Sequence, residues 1–188
     1  MSAGDRRAQL LDVARDIVAA DGFGAVTIER VAREAEVARA LVYQQFTDLS
    51  GLMTAMLDRE MGIALAGVAG VKWSTDTVDQ VARSILDYLQ AAPASWQIML
   101  SPPDGGPPNL RARLELGRSY ARASGARHLS RFSGTEVDPN GPTERILVAA
   151  LEELARLHLD NPLSVPDDVL RNYIAGLLHW AIAMETGS

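Results

Sequence analysis

Residues 39–46 read Arg-Ala-Leu-Val-Tyr-Gln-Gln-Phe, and this octet gathers the side chains best suited to bonding a nucleic acid. An arginine fork bonds a phosphate or a guanine edge in two places, and a glutamine amide pairs with adenine in the same way. A tyrosine hydroxyl reaches a phosphate oxygen. At helical spacing Arg39, Ala40, Tyr43 and Gln44 fall on one side. Leu41, Val42 and Phe46 fall on the other and are expected to pack inward, with Val37 anchoring the turn before them.

Catalysis has little to draw on. The histidines, His128, His158 and His179, lack metal-ligand spacing, and no Gly-x-Ser-x-Gly elbow is present. Lys72 is followed by Trp73, which excludes a phosphate-binding Gly-Lys-Ser/Thr loop. Gly22-Phe23-Gly24 begins like a dinucleotide fingerprint but follows a helical pattern and lacks the third glycine. Glu152 and Glu153 are adjacent and diverge on a helix surface. The absence of cysteine excludes disulfides, zinc-thiolate sites and thiol nucleophiles. No catalytic residue, metal site or cofactor is expected, and an enzyme is not the expected class.

A recognition octet needs a frame that presents it. Helical periodicity dominates, and alternating strand patterns are absent. The spacing predicts a first helix over Arg6–Asp21, with Leu10, Leu11, Ala14, Ile17 and Val18 on one face. Gly22 follows as a C-cap glycine with Phe23 as its hydrophobic contact. Thr27 is the expected N-cap of a short second helix ending near Ala35. A tight turn at Glu36-Val37 leads to a third helix, Arg39–Phe46. Asp48 then caps a long fourth helix to about Ala66, lined by Leu52, Met53, Met56, Leu57, Ile63 and Leu65. Two short helices joined by a tight turn have the geometry of a helix-turn-helix, whose second helix enters the major groove.

Further helices are expected over 77–91, 109–131, 143–159 and 165–185, with a short segment 94–100 after the break at Pro93. The stretches 102–108 and 133–142 are expected loops. Ser164 with Asp167 reads as a capping box, with Pro166 in the first turn. The expected fold is all-α, about nine helices with no sheet.

The composition suits a globular chain: 47% apolar, 22% charged, with no apolar run near the roughly 18 residues of a membrane span. No stretch resembles a signal peptide, and a cytoplasmic location is expected. A net charge of −6 and a pI near 5.0 exclude nonspecific coating of nucleic acid but allow a local reading face. Residues 1–50 hold six arginines (6, 7, 15, 30, 33, 39) and eight acids (5, 12, 16, 21, 29, 34, 36, 48).

Residues 6–57 resemble the N-terminal domain of the TetR family of transcriptional regulators. The matching pieces are Leu10-Leu11 with Ala14, Asp21-Gly22-Phe23, Thr27-Ile28, Val31-Ala32-Arg33-Glu34-Ala35, Val37 through Phe46, and Leu52. The resemblance implies a three-helix DNA-binding domain at 1–50, a linking helix four at 48–66, and an effector-binding and dimerisation domain at 51–188. It implies DNA contacts from Thr27, Arg39, Ala40, Tyr43, Gln44 and Gln45. It further implies a ligand-responsive regulator, with repression the leading mode, that binds a palindromic operator as a homodimer. Tyr88, Trp96, Met99, Leu114, Tyr120 and Trp180 are the candidate lining of its small-molecule pocket. Leu147, Leu151, Leu154, Leu170, Tyr173, Ile174, Leu177, Leu178 and Ala181 are the candidate dimer interface. Arg111, Arg118 and Arg122 share a helix face that reads as a solvated one. The chain departs from the family pattern at Glu36 and Ala40, where glycine is usual, at Ala38, where a serine or threonine cap is usual, and at Leu49, where lysine is usual. These departures and the acidic reader support an alternative: a helical ligand- or partner-binding dimer whose DNA reader has decayed.

Overall fold

The computed structural model describes residues 3–70, 77–101, 104–107 and 109–187. Among them the chain forms α1 (Ala3–Asp21), α2 (Ile28–Glu34), α3 (Arg39–Phe46), α4 (Leu49–Gly70), α5 (Val78–Ala91), α6 (Pro93–Leu100), α7 (Leu110–Ser133), α8 (Pro142–Asp160) and α9 (Asp167–Thr186). A 3-10 turn at Phe23–Ala25 joins α1 to α2, and no strand occurs among the described residues. The caps explain most of these limits. Gly22 leaves α1 at φ 80, which glycine adopts without strain, and Phe23 behind it is buried. Thr77 and Gln80 exchange hydrogen bonds as a capping box at the start of α5. The expected box at Ser164 and Asp167 does not form: Pro166 is the N-cap of α9, and the Ser164 hydroxyl donates to the Asn161 carbonyl at 2.8 Å instead. The expected loop at 102–108 lies partly outside the described residues.

Two compact units divide the chain. One comprises Met1–Ile63 and Ala94–Arg113, the other Ala64–Pro93 and Leu114–Ser188. In the first, Leu10, Ile17, Phe23, Leu52, Met56, Leu57, Ile98 and Leu110 are fully buried. Each such side chain contributes about 1.5–3 kcal/mol of burial. Ile63, expected in the lining of α4, is 43% exposed, and Ala64 is buried in its stead.

Three contacts tie the 94–113 segment to the N-terminal helices. The Ser95 hydroxyl on α6 donates to Glu60 Oε2 of α4 at 2.5 Å, and Glu60 is fully buried. Arg59 Nε donates to the other Glu60 oxygen at 2.9 Å while its Nη2 lies 2.9 Å from Asp12 of α1. Arg113 of α7 pairs with Asp58 of α4. Finally, Gly105 lies so close to the 3-10 turn that a Cβ there would sit 2.7 Å from the Gly24 Cα.

In the second unit α5 and α8 both pack on α9. Leu147, Leu170, Ile174, Leu178 and Ala181 are buried there.

Candidate nucleic-acid interface

The helix-turn-helix is built from its caps outward. Thr27 holds the extended conformation of an N-cap, and its Oγ accepts the Arg30 amide at 3.1 Å. Ile28, Val31 and Ala32 are buried beneath α2. The helix ends in a Schellman turn: the Val37 amide donates to the Ala32 carbonyl at 2.9 Å and the Glu36 amide to Arg33 at 3.2 Å. That turn requires a left-handed residue, and Glu36 supplies it at φ 55. A non-glycine residue there costs about 1–2 kcal/mol. Ala38, extended at φ −69 and ψ 140, caps α3 without a side-chain hydrogen bond.

The octet divides as its spacing requires. Val42 and Phe46 are buried, Leu41 is half-buried, and Arg39, Ala40, Tyr43 and Gln44 are exposed together on the other side. Tyr43, a large aromatic ring, stands 49% exposed. Thr27 is also exposed. Gln45 departs from the stripe: it is half-buried, and its backbone carbonyl accepts Arg7 Nη1 at 2.9 Å.

Sequence patterning missed the residues that fix α3 from outside. Arg7 lies with its guanidinium 4.3 Å from the centre of the Phe46 ring, a cation–π contact that joins α1 to the end of α3. Gln9 Nε2 donates to the Ala35 carbonyl at 3.1 Å and so closes the end of α2. Both face outward on the helical pattern of α1, so nothing local in the sequence marks them. Gly51 is a third. A Cβ there would lie 2.3 Å from the Phe46 carbonyl oxygen, so glycine lets the first turn of α4 close on α3. Asp48 Oδ1 accepts the Gly51 amide at 2.7 Å, as expected of the cap of α4.

The charges of this face are mutually satisfied. Arg30 lies 2.7 Å from Glu34 and 2.5 Å from Asp21. Arg33 lies 3.8 Å from Glu34, and Arg39 lies 3.0 Å from Glu29. The Glu29 carboxyl titrates below the ordinary carboxylate range because its own backbone amide and Arg39 bond the charged form.

Residues 10–56 match the family model of bacterial regulatory proteins, tetR family. That match spans the helix-turn-helix alone, so residues 10–56 form a helix-turn-helix of the TetR type. The matched model describes bacterial regulatory proteins, and the segment it covers is the helix-turn-helix described above. The fold agrees along the whole chain. A TetR-family structure from Rhodococcus sp. superposes with a TM-score of 0.75 at 21% identity, covering 95% of this chain and 99% of that one. One from Streptomyces coelicolor gives 0.71 at 21% identity, covering 100% and 84%. Among characterised relatives, the HTH-type transcriptional activator FasR of Mycolicibacterium smegmatis is 23% identical over 87% of this chain and 77% of its own length. The HTH-type nicotine-responsive transcriptional repressor HdnoR of Paenarthrobacter nicotinovorans is 26% identical over 62% of this chain, which spans about half of it (55%). The two relatives act with opposite sign.

The body of the chain distributes the expected pocket residues unevenly. Trp96 and Met99 belong to the first compact unit and Tyr88, Leu114, Tyr120 and Trp180 to the second. Leu114 is buried, Tyr120 is 41% exposed, and the other four are half-buried. An apolar cleft in the second unit is lined by Val78, Val81, Leu129, Phe132, Leu178 and Ile182 and includes none of them. Its roughly 10 Å³ of free space admits about one water. Arg118 is bonded to Glu152 and Arg122 to Glu115, while Arg111 lies 3.8 Å from Asp104.

The expected dimer stripe needs correction in part. Leu147, Leu170, Ile174, Leu178 and Ala181 are buried within their own chain and have no surface to give a partner. Leu151, Leu154 and Leu177 are half-buried, and Tyr173 is 59% exposed. The outward face of α9 instead runs through Val169, Tyr173, Gly176, Trp180 and Met184, and that of α8 through Ile146, Ala149 and Leu157. No helix among the described residues is long and apolar enough to cross a membrane.

One buried group stands out in the second unit. Glu144 of α8 is fully buried, and neither of its oxygens has a hydrogen-bond partner among the described residues. Its carboxylate rests on the backbone of α7 at Gly125, where a Cβ would sit 2.7 Å from Oε2. Burial first, and Glu185 second, push its carboxyl up to about 7, and Arg122 offsets this in part.

Proposed function

We propose that the chain is a ligand-responsive regulator that binds a palindromic operator as a homodimer and represses by occupying it. The exposed stripe of Arg39, Ala40, Tyr43 and Gln44, opposite the buried Val42 and Phe46, carries this reading. Arg39 and Gln44 address base edges, and Tyr43 and the Thr27 hydroxyl address phosphates. Ala40 lets the helix approach the groove closely, and Gln45 acts from the margin. The reader is assigned to residues 1–50, α4 to the link, and 51–188 to effector binding and dimerisation. The outward apolar faces of α8 and α9 support pairing in a four-helix bundle, with Tyr173, Leu177, Leu151 and Leu154 contributing at its margins. A two-fold dimer sets its recognition helices about 34 Å apart, one turn of DNA. Tyr88, Trp96, Met99, Leu114, Tyr120 and Trp180 remain the candidate effector contacts, and a cytoplasmic location follows from the role. The self-paired arginines of α2 and α3 favour the second reading, a dimer whose reader has decayed.

Selection of bound fragments from randomised duplex DNA by the purified protein, followed by sequencing, separates the two. An enriched two-fold palindrome is the expected result. A folded dimer that enriches nothing at low salt supports the decayed reader.

A further inference from the structure

Glu29 stands in the first turn of α2 and Arg39 opens α3, ten residues away across the turn. Arg39 Nη1 donates to Glu29 Oε1 at 3.0 Å, and both side chains are exposed, at 64% for Arg39 and 58% for Glu29. The arginine best placed to meet DNA is thus already bonded to an anion of its own chain. We propose that Glu29 is a specificity-determining residue that suppresses sequence-independent DNA binding by neutralising Arg39. This deepens, and rests on, the reading of α3 as the DNA-contacting helix.

Nonspecific binding is almost wholly the attraction between free cations and phosphates. A guanidinium held by a carboxylate presents no net charge to a phosphate, so it adds little to that term. Recognition of a guanine edge depends instead on the direction of the fork, and a guanidinium has five donors. The Glu29 contact engages one nitrogen, Nη1, and leaves Nε and Nη2 for a base. The carboxylate therefore subtracts more from random DNA than from a cognate site, and it orients the fork before contact. Arg30 and Arg33 lie beside Asp21 and Glu34, so no neighbouring arginine on α2 restores the lost phosphate term.

The test uses a labelled duplex of random sequence, with affinity measured by anisotropy across a salt series. It compares the full chain with Glu29→Gln, Arg39→Ala and the double substitution, after melting curves establish that all four fold alike. Glu29→Gln is expected to raise affinity about 2–5-fold, the range of an exposed ion pair. It is expected to steepen the salt dependence by about one ion. In the Arg39→Ala background the same substitution lifts only the repulsion of an unpaired carboxylate, so the slope of the salt dependence is expected to stay unchanged there. An equal steepening of the salt dependence in both backgrounds, or none in either, means general repulsion alone and overturns the proposal. No rise from Glu29→Gln while Arg39→Ala weakens binding overturns it too, yet leaves α3 as the DNA helix. No loss of binding from Tyr43→Ala, measured on the same duplex after the same check of folding, overturns the underlying reading and the proposal with it.

Discussion

Replacing Glu144 by Gln keeps the shape of the side chain and removes its charge, which isolates the cost of burying that charge. The carboxyl titrates at about 7 in the folded chain against an ordinary value of 4.5. At ~1.36 kcal/mol for each tenfold change in proton affinity, that difference amounts to about 3 kcal/mol. Because the folded value is raised, the folded chain binds the proton more tightly than the unfolded one. Below pH 4.5 both states are protonated and the charge costs nothing. Between 4.5 and about 7 the folded chain loses stability as pH rises, and above 7 the whole cost is present. Protonated Glu and Gln both bury an unpartnered neutral group, so they are close to equal at low pH. The variant is expected to match the wild type near pH 4.5 and to exceed it at pH 8 by up to about 3 kcal/mol, less any relaxation around the charge. Urea unfolding followed by circular dichroism reads this as a difference between midpoints that grows with pH. A difference that stays constant across that range, or a wild type more stable than the variant at pH 8, refutes the reasoning.

Other substitutions probe the reader and the pairing surface. Tyr43→Ala removes a ring that is 49% exposed and is expected to abolish operator binding in a gel-shift assay, with the dimer unchanged by sedimentation. Glu36→Gly relieves the left-handed residue at φ 55 and is expected to stabilise the chain by about 0.5–1 kcal/mol in thermal melts, the relief being partly offset by the flexibility of unfolded glycine. Gly51→Ala forces a Cβ against the Phe46 carbonyl and is expected to cost about 1–3 kcal/mol in the same melts. Tyr173→Glu places a charge on the outward face of α9, and sedimentation is expected to show a weakened dimer with an intact helical spectrum.

The reader was legible because its signals are local. The limits of α3 coincide with the expected Arg39–Phe46, and the caps at Thr27 and Asp48 act over three residues. The body was less legible because periodicity shows that a face is buried without showing by what. Leu170, Ile174 and Leu178 form the stripe that a dimer would also need, yet they close on their own chain. Nothing in residue type or spacing singles out Glu60 and Glu144, and only the fold buries them. The bond from Glu29 to Arg39 spans ten residues and a turn, beyond the reach of any helical repeat.

The segment 94–113 joins the N-terminal helices in one packing unit although thirty residues of chain intervene. The reader is therefore not a portable module. A fragment cut after Ile63 would strip Glu60 of the Ser95 hydroxyl, leave Asp58 without Arg113, and uncover the apolar surface against which Ile98 and Leu110 are buried. Moving this helix-turn-helix onto another protein requires carrying α6 and the start of α7 along with it. The same tie makes position 105 intolerant of change: its φ is +75, and any side chain there would collide with Gly24.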